Sequence, residues 1–454
     1  MSDLPPKPEA EFTLNFKKIR HSVTFKLFSM LFLLLLAMIP VAFVQALVNE
    51  RQGLQREAER EVNQKWADQQ TLQGPVLTVP YDQITVSTEE KGKKKTVKTR
   101  RFMHILPAKL KLTGNLEPQK LHRGIYDIVV YRSDLHLQGH FDTTLLKSMS
   151  IPDANIHWSQ AFVSLGLSDL RWIEASIVMQ WAGTNKVFDP GTVTDHLFEK
   201  GVHVPVTLAA STLSKNVPFA LSLKLKGNQR LYFAPVGKET EVELKAPWGS
   251  PSFDGAFLPT ERTVTETDFT ARWKVLHLNR NYPQFWENTQ YKFDESYFGV
   301  YLIEPVDHYH KVERSVKYAL FFIGLTFLTF FFVEVITRRL VHPLQYLLVG
   351  FALSVFYTLL LSISEQIGFD KAYGIAAVMT VGLITAYAAG FLKSRRLTLA
   401  MGSILTTLYA FIYVIIYQQD YALLMGSLGL FLVLALVMFF SRKLDLGNDE
   451  LPDV

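Results

Sequence analysis

The stretch LFSMLFLLLLAMIPVAFVQALV at residues 27–48 contains 22 residues without a formal charge. At about 1.5 Å per residue, a helix of this length crosses the roughly 30 Å hydrocarbon core of a bilayer. Pro40 lies within the stretch, where a membrane helix tolerates it. A cleaved secretory signal is the competing interpretation, but the 26-residue leader and the length of the run favour a retained anchor. We therefore predict a first membrane span at 27–48.

Charged residues are unevenly distributed over the 454-residue chain. Residues 317–441 carry only 11 of the 89 charged side chains, which is typical of membrane spans, whereas the rest has the composition of a water-exposed protein. Charges and turns divide this region into five apolar runs, at residues 318–336, 344–363, 372–392, 397–417 and 422–440. Together with the first span, they predict six transmembrane helices in a one-plus-five arrangement.

The distribution of basic residues predicts the orientation of these spans, because cytoplasmic loops are enriched in Lys and Arg. With six spans, the short loops on the opposite side carry one basic residue, Lys371. Eleven fall on the side of the two termini, namely Lys17, Lys18, Arg20, Lys26, Arg338, Arg339, Lys393, Arg395, Arg396, Arg442 and Lys443. We therefore predict cytoplasmic tails at 1–26 and 442–454, with residues 49–316 outside the cytoplasm.

Residues 49–316 have the pattern of a folded, mainly β domain. The four-residue recurrence of Leu54, Ala58 and Val62 predicts a helical stalk at 49–70. Beyond the stalk, short alternating segments are separated by Gly, Pro, Asn and Asp. Strands this short and numerous predict a large domain of antiparallel, sandwich-like sheets. The predicted fold class is therefore an α+β membrane protein with a β-rich extracytoplasmic domain.

Two stretches of this domain, residues 124–142 and 255–273, share a weak pattern. Each runs from a glycine through an apolar patch to an alternating strand. A duplication would give two sandwich-like lobes, whereas common β-patterning would give the same resemblance by chance. Both interpretations are open on the sequence alone.

Composition and motifs exclude several classes of function. The chain has no cysteine, which excludes disulfides, thiolate metal sites and cysteine nucleophiles. A net charge of +5 over this length gives no support for a nucleic-acid partner. The sequence contains no Gly-x-Ser-x-Gly elbow, phosphate-binding loop or His-Glu-x-x-His motif. We therefore predict neither an enzymatic activity nor a cofactor.

A polar cluster precedes the second predicted span and contains Glu304, Asp307, His308 and His310. Two histidines two positions apart would lie on one side of a strand, a spacing compatible with zinc. No recognisable motif supplies a third ligand or a general base. We therefore favour a polar collar at the membrane surface.

Glu334 lies inside a predicted span, and an acidic residue within a membrane is a functional candidate by default. Arg338 follows four residues later, on the same face of a helix. The simpler interpretation is a snorkelling ion pair near the cytoplasmic surface.

A basic run is centred on Lys93, Lys94 and Lys95 and has seven cations in the eleven residues 91–101. Such a run could contact anionic lipid headgroups or an acidic envelope polymer. The alternative, which we favour from sequence, is a solvated hairpin tip with a turn at Gly92.

Several segments resemble the CreD family of inner-membrane proteins, which is described under cell envelope integrity. The segments are QGPVLTVPY at 73–81, FDGAFLP at 253–259, ERSVKYALFFIGLTF at 313–327, RLVHPLQYLLVG at 339–350 and LSISEQIGF at 361–369. The resemblance extends from about residue 25 to 442. It implies a multi-pass protein of the Gram-negative inner membrane, linked to envelope stress and to the CreBC two-component system. The family has no established catalytic residues to carry over.

The leading hypothesis is therefore a non-enzymatic protein that supports the envelope, with an outer domain that binds or senses an unknown envelope component or membrane protein. The predicted partners include the lipid bilayer and exclude nucleic acid. One alternative is an envelope hydrolase that uses His308 and His310. Another is a transporter, which predicts a polar cavity near the middle of the membrane.

Overall fold

A computed structural model of the chain describes residues 23–88, 94–144, 151–208, 216–287, 291–302, 308–337, 341–418 and 421–441. The chain divides into two compact units. The helical unit combines the two ends of the chain, up to Leu54 and from Val306 onward. The β-unit comprises the intervening residues, Gln55–Pro305.

The described residues form seven α-helices: α1 (Val23–Lys65), α2 (His308–Lys317), α3 (Ala319–Thr337), α4 (Pro343–Ile367), α5 (Phe369–Leu392), α6 (Arg395–Tyr417) and α7 (Ala422–Ser441). Among them, α1, α4, α5 and α6 are each long and apolar enough to cross a membrane. A fifth span is added if α2 and α3, which are bent by 47° at Tyr318, act as one. The apolar part of α7, Leu423–Phe439, is shorter. Four or five of the six predicted spans thus correspond to helices that are long and apolar enough to cross a membrane, and the count of six stays a prediction.

Helix α1 is 43 residues long and covers both the first predicted span and most of the predicted stalk. Its polar end is supported by Glu61, which accepts a hydrogen bond from Lys65 one turn later at 2.6 Å. Pro40 is accommodated inside the helix.

The β-unit contains strands β1 (Gln70–Thr88), β2 (Lys94–Ile105), β3 (Lys109–Arg123), β4 (Tyr126–Asp142), β5 (Ala161–Leu167), β6 (Val178–Trp181), β7 (Thr184–Val187), β8 (Asp189–Pro190), β9 (Gly201–Val206), β10 (Asn216–Asn228), β11 (Arg230–Phe233), β12 (Glu239–Ala246), β13 (Pro251–Gly255), β14 (Glu261–Val264), β15 (Phe269–Leu276), β16 (Phe285–Glu287) and β17 (Phe298–Leu302). One sheet has the order β13-β17-β11-β1-β5-β9-β8, with β2 and β16 continuing from β1. The other has the order β14-β15-β12-β3-β4-β10-β6-β7.

The prediction of purely antiparallel sheets is wrong, because each sheet contains a parallel pair at its centre. Strand β11 runs parallel to β1, and β12 runs parallel to β3. Parallel neighbours require long crossover connections, and the alternation of apolar residues along a strand does not reveal which way its partner runs. The sheets are therefore mixed.

The two sheets pack face to face around one continuous hydrophobic core. Trp273 of the second sheet contacts Phe253 and Phe298 of the first, with ring centroids 5.7 and 5.8 Å apart. The Tyr131 hydroxyl donates across the sandwich to the carbonyl of Arg230 at 2.7 Å. Burial raises the pKa of Tyr131 well above its ordinary value. The sandwich architecture is thus confirmed, with a single core.

The two stretches that share a sequence pattern adopt different structures. Residues 124–142 form the single long strand β4, whereas residues 255–273 contain all of β14, a turn and part of β15. Each stretch nevertheless ends in a strand, β4 or β15, that pairs antiparallel with β3 or β12 respectively, and a duplication stays a prediction.

Candidate functional site

Helix α2 is amphipathic and connects to α3 at a sharp bend. Its buried residues are Tyr309, Val312, Ser315 and Val316. Positions three and four apart lie on one face of a helix, so these side chains form the face that packs on the other helices. This segment is therefore a helix and not the strand that the zinc interpretation of the two histidines would require.

One end of α2 joins α1 to α4 through Glu365. The Tyr309 hydroxyl donates to Oε1 of Glu365 at 3.0 Å, and Nε of Arg51 lies 3.6 Å from the same oxygen. Gln52 of α1 also donates to Oε2 of Glu313 in α2 at 3.4 Å. Three helices that are distant in sequence are thus connected by one polar network.

The other side of α2 contacts α5 and α6. Nζ of Lys311 lies 3.6 Å from Oδ1 of Asp370, which also accepts a hydrogen bond from the Tyr413 hydroxyl at 3.1 Å. The same ammonium lies 5.4 Å and 5.2 Å from the ring centroids of Phe369 and Tyr417. A cation over an aromatic ring is stabilised by the ring's electron density. Helix α2 therefore contacts α1, α4, α5 and α6 through named polar groups.

The two histidines with a spacing compatible with zinc begin this helix. His308 is its first residue, and Nδ1 of His310 lies 3.6 Å from Oε2 of Glu313. Residues two apart on a helix point in nearly opposite directions, because each residue turns the chain by about 100°. Within the described ranges, no three His, Asp or Glu side chains are arranged to hold a metal. Glu304 and Asp307 lie outside the described residues.

A second polar network lies at the opposite end of the helical unit. Glu334 of α3 has a side chain only 5% exposed and accepts a hydrogen bond from Lys26 of α1 at 2.9 Å. The Tyr346 hydroxyl of α4 donates to its other oxygen at 3.1 Å. Arg338, the partner predicted from sequence, lies outside the described residues. Both partners of Glu334 therefore lie on other helices, Lys26 on α1 and Tyr346 on α4.

The spacing of the two networks matches a membrane. Lys26 and Arg51 are 25 residues apart on α1, which corresponds to about 37 Å along a helix. The hydrocarbon core of a bilayer is roughly 30 Å thick. The separation of the two networks along α1 is therefore slightly greater than this thickness.

Aromatic side chains fill the interior between these networks. The ring of Tyr409 lies 4.2 Å from Phe322 and 4.9 Å from Phe356, measured between centroids, in both cases edge to face. The Tyr373 hydroxyl donates to the carbonyl of Tyr409 at 2.8 Å. Edge-to-face pairs at these distances are tightly packed. This part of the helical unit is therefore a packed aromatic core.

The β-unit contains a buried histidine that the sequence did not single out. His104 of β2 is fully buried, and its Nδ1 lies 3.0 Å from the Thr78 hydroxyl. Burial, with a smaller contribution from nearby His196, lowers the pKa of His104 to about 3. Its ring lies 5.4 Å from that of Trp286. In the sequence, burial of His104 is indicated by its position between two apolar residues, Met103 and Ile105, both of which are fully buried in the structure.

The basic run lies on the hairpin of β1 and β2. Lys93 lies outside the described residues. Lys94 and Lys95 are the first residues of β2, and their backbone pairs with the end of β1. The prediction of a hairpin between two strands is therefore confirmed for the described part of this segment.

A large β-sandwich inserted in sequence between a membrane helix and a set of further apolar helices defines a multi-span membrane protein with a water-exposed domain. The family model for inner membrane protein CreD matches residues 22–447. The chain is also 32% identical over 442 residues to the inner membrane protein CreD of Escherichia coli (strain K12), covering 96% of each chain. The chain therefore belongs to the CreD family of inner membrane proteins, as the sequence resemblance predicted.

Proposed function

We propose that this protein is a non-enzymatic inner-membrane protein that supports cell envelope integrity and the response to envelope stress. In this proposal the β-unit lies outside the cytoplasm and binds or senses an envelope component. In this proposal six spans put both termini on the same side of the membrane, and the eleven-to-one distribution of basic residues supports the cytoplasmic side. Family membership supports the inner-membrane location.

The observation that carries the proposal is the way the chain leaves and re-enters the helical unit. Gln52 of α1 contacts Glu313 of α2 directly, so the exit and return points are neighbours. In the chain, the whole β-unit is inserted between these two points. Arg51, Glu365 and Tyr309 join the same region to α4. A force or a binding event at the β-unit would therefore act on a group of helices joined by polar contacts, and not on a single helix.

The two alternative functions receive less support from the geometry. A hydrolase based on His308 and His310 needs the two side chains to converge, whereas their positions on a helix direct them apart. A transporter needs a polar cavity between its helices, whereas Tyr409 packs edge to face against both Phe322 and Phe356 in the interior of the helical unit.

The function is tested by deleting the gene and measuring survival in detergents, envelope-active antibiotics and osmotic shock. We expect the deletion strain to be more sensitive, and the full-length protein supplied in trans to restore resistance. A version in which the β-unit is replaced by an unrelated folded domain should not restore it. Identical survival of wild-type and deletion strains under every stress would contradict the proposal.

The predicted topology is tested with a protease added to spheroplasts. Residues 49–316 should be cleaved, and epitope tags at both termini should be protected. A reporter fused after Arg442 that is active only outside the cytoplasm would contradict the orientation.

The proximity of exit and return points is tested with engineered cysteines, since the chain has none of its own. Val48 is fully buried on α1, and a cysteine there should crosslink in the membrane with one at Tyr318. Phe43 is 72% exposed on the same helix, so the pair of Phe43→Cys with Tyr318→Cys is the matched control. Failure of crosslinking at Val48 and at its buried neighbours would overturn this arrangement.

A further inference from the structure

Strands β1 and β2 extend beyond their sheet as a two-stranded ribbon. Strand β5 last pairs with β1 at Thr78, and the final bridge to another segment is at Tyr81. From Asp82 to Thr88, the described part of the chain gives β1 no strand partner except β2. Seven residues at about 3.3 Å each make the projecting part roughly 23 Å long. The residues of β1 from Gln83 to Val86 are all exposed.

One face of the ribbon combines apolar and cationic side chains. Ile84 and Val86 are 43% and 56% exposed, and alternate residues of a strand lie on the same face. Lys98 is directly opposite Ile84, and the exposed Arg100 is opposite Asp82. Directly opposed residues share a face, so both cations lie beside the two exposed β-branched side chains.

The cations of the ribbon are not neutralised by acidic side chains in the described structure. Arg100 donates to the amide oxygen of Gln160, and Arg101 donates to that of Gln83 at 3.1 Å. Lys98 has no ion pair among the described residues. The nearest acidic residue on this face, Asp82, lies 3.0 Å from Nε2 of His157. The ribbon therefore presents net positive charge together with apolar surface.

We propose that this ribbon docks on the surface of an anionic phospholipid bilayer. Negative headgroups match Lys98 and Arg100, and the apolar layer just below the headgroups accepts Ile84 and Val86, which lie on the same face as these two cations. A purely ionic partner, such as an acidic polymer, would use the cations but leave the apolar side chains in water. The pattern therefore favours a lipid surface.

The inference deepens the proposed function and rests on it in one respect, the location of the β-unit outside the cytoplasm. Lipid binding in a purified system does not depend on that location. A failure to bind lipid would therefore leave the survival assays unaffected, and failure of those assays would leave lipid binding intact.

The test uses the full-length protein in nanodiscs of phosphatidylcholine. The probe is vesicles of phosphatidylcholine mixed with phosphatidylglycerol, with pure phosphatidylcholine vesicles as reference. Each Lys or Arg near an anionic surface contributes about a five-fold change in affinity. The double variant Lys98→Gln and Arg100→Gln should therefore lose affinity roughly 25-fold.

The matched control removes the same charge elsewhere in the β-unit. Lys111 and Lys238 are exposed, and their double replacement by glutamine should change affinity far less. A separate variant, Ile84→Ser with Val86→Ser, should also weaken binding to the mixed vesicles while leaving the charge unchanged. Tryptophan emission should be identical in all variants, which shows that the β-unit is folded.

Three results would overturn the proposal. The first is equal loss of binding in the ribbon variant and the control variant. The second is equal binding of the wild-type protein to both kinds of vesicle. The third is unchanged vesicle binding by the serine variant together with equally strong binding of polyglutamate, which would indicate a purely ionic partner.

Discussion

The stability of the β-unit should depend on pH through His104. An unfolded histidine has a pKa of 6.5, whereas burial lowers the pKa of His104 to about 3 in the folded protein. Between these two values the unfolded chain binds a proton that the folded chain does not bind. The free energy of unfolding therefore rises with pH in this window, and this contribution is lost as the pH falls below 6.5.

The size of the effect follows from the difference in pKa. Each pH unit inside the window changes stability by about 1.4 kcal/mol for one group. Lowering the pH from about 7.5 to about 5 should therefore cost about 2 kcal/mol through His104 alone. Because the side chain is fully buried, solvent screening does not reduce this value.

The measurement compares the wild-type protein with His104→Gln. Glutamine is neutral over the whole range and can still hydrogen bond to the Thr78 hydroxyl. All seven tryptophans lie between Trp66 and Trp286, inside the β-unit, so their fluorescence during guanidinium unfolding reports on this unit. The control is His122→Gln, which replaces an exposed histidine on β3.

We expect the two proteins to differ in how steeply the free energy of unfolding changes with pH, and not only in its value at one pH. The His104→Gln protein loses ring contacts with Trp286 and should be less stable at neutral pH. Its further loss on acidification should be about 2 kcal/mol smaller than that of the wild type, because groups common to both proteins cancel. If the two proteins lose equal stability between these pH values, His104 is accessible to protons in the folded state and the reasoning is refuted.

Further predictions concern the helical unit and a tightly packed glycine of the β-unit. Replacing Lys26 with Met leaves the buried Glu334 carboxylate without its cation and should destabilise the helices by roughly 3–5 kcal/mol. Glu334→Gln should cost less stability, because the side chain of Lys26 is 25% exposed and can reach water. Thermal loss of helical circular dichroism in micelles measures the stability of both variants. A larger loss for Glu334→Gln than for Lys26→Met would contradict the structure. A Cβ at Gly299 would lie 2.0 Å from the carbonyl oxygen of Leu231, so Gly299→Ala should lower the tryptophan-monitored stability by about 1–3 kcal/mol or more. At Gly53 nothing lies within 4 Å of an added Cβ, so Gly53→Ala should instead stabilise α1 by about 0.5–1 kcal/mol. A gain in stability on Gly299→Ala would refute the packing described for β17.

Much of the architecture could be predicted from local pattern. The charge-free run at 27–48 indicates a span because length and polarity alone decide it. The alternation around Leu110 and Leu112 indicates a half-buried strand in the same direct way. Helix α2 is indicated by the helical spacing of Tyr309, Val312 and Val316. The two-residue spacing of His308 and His310 is equally compatible with a strand, so the local pattern does not decide between the two structures.

The contacts between distant segments could not be predicted. Lys26 and Glu334 are 308 residues apart, and Arg338 was the nearer candidate for the same carboxylate. A strand's own residues similarly do not indicate whether its neighbour runs parallel, as β11 does beside β1. Both features depend on how segments meet in three dimensions.

The discontinuous helical unit has a consequence for biogenesis. Helix α1 leaves the ribosome first, but the partner of Lys26 is synthesised 308 residues later. At about 5–20 residues per second, α1 waits roughly 15–60 s for Glu334. During this interval the entire β-unit is synthesised, and it can fold while α1 is still a solitary anchor. A nascent chain that stops before α3 would therefore carry a complete sandwich on a single unpaired helix, which makes such truncated products natural substrates for membrane quality-control proteases.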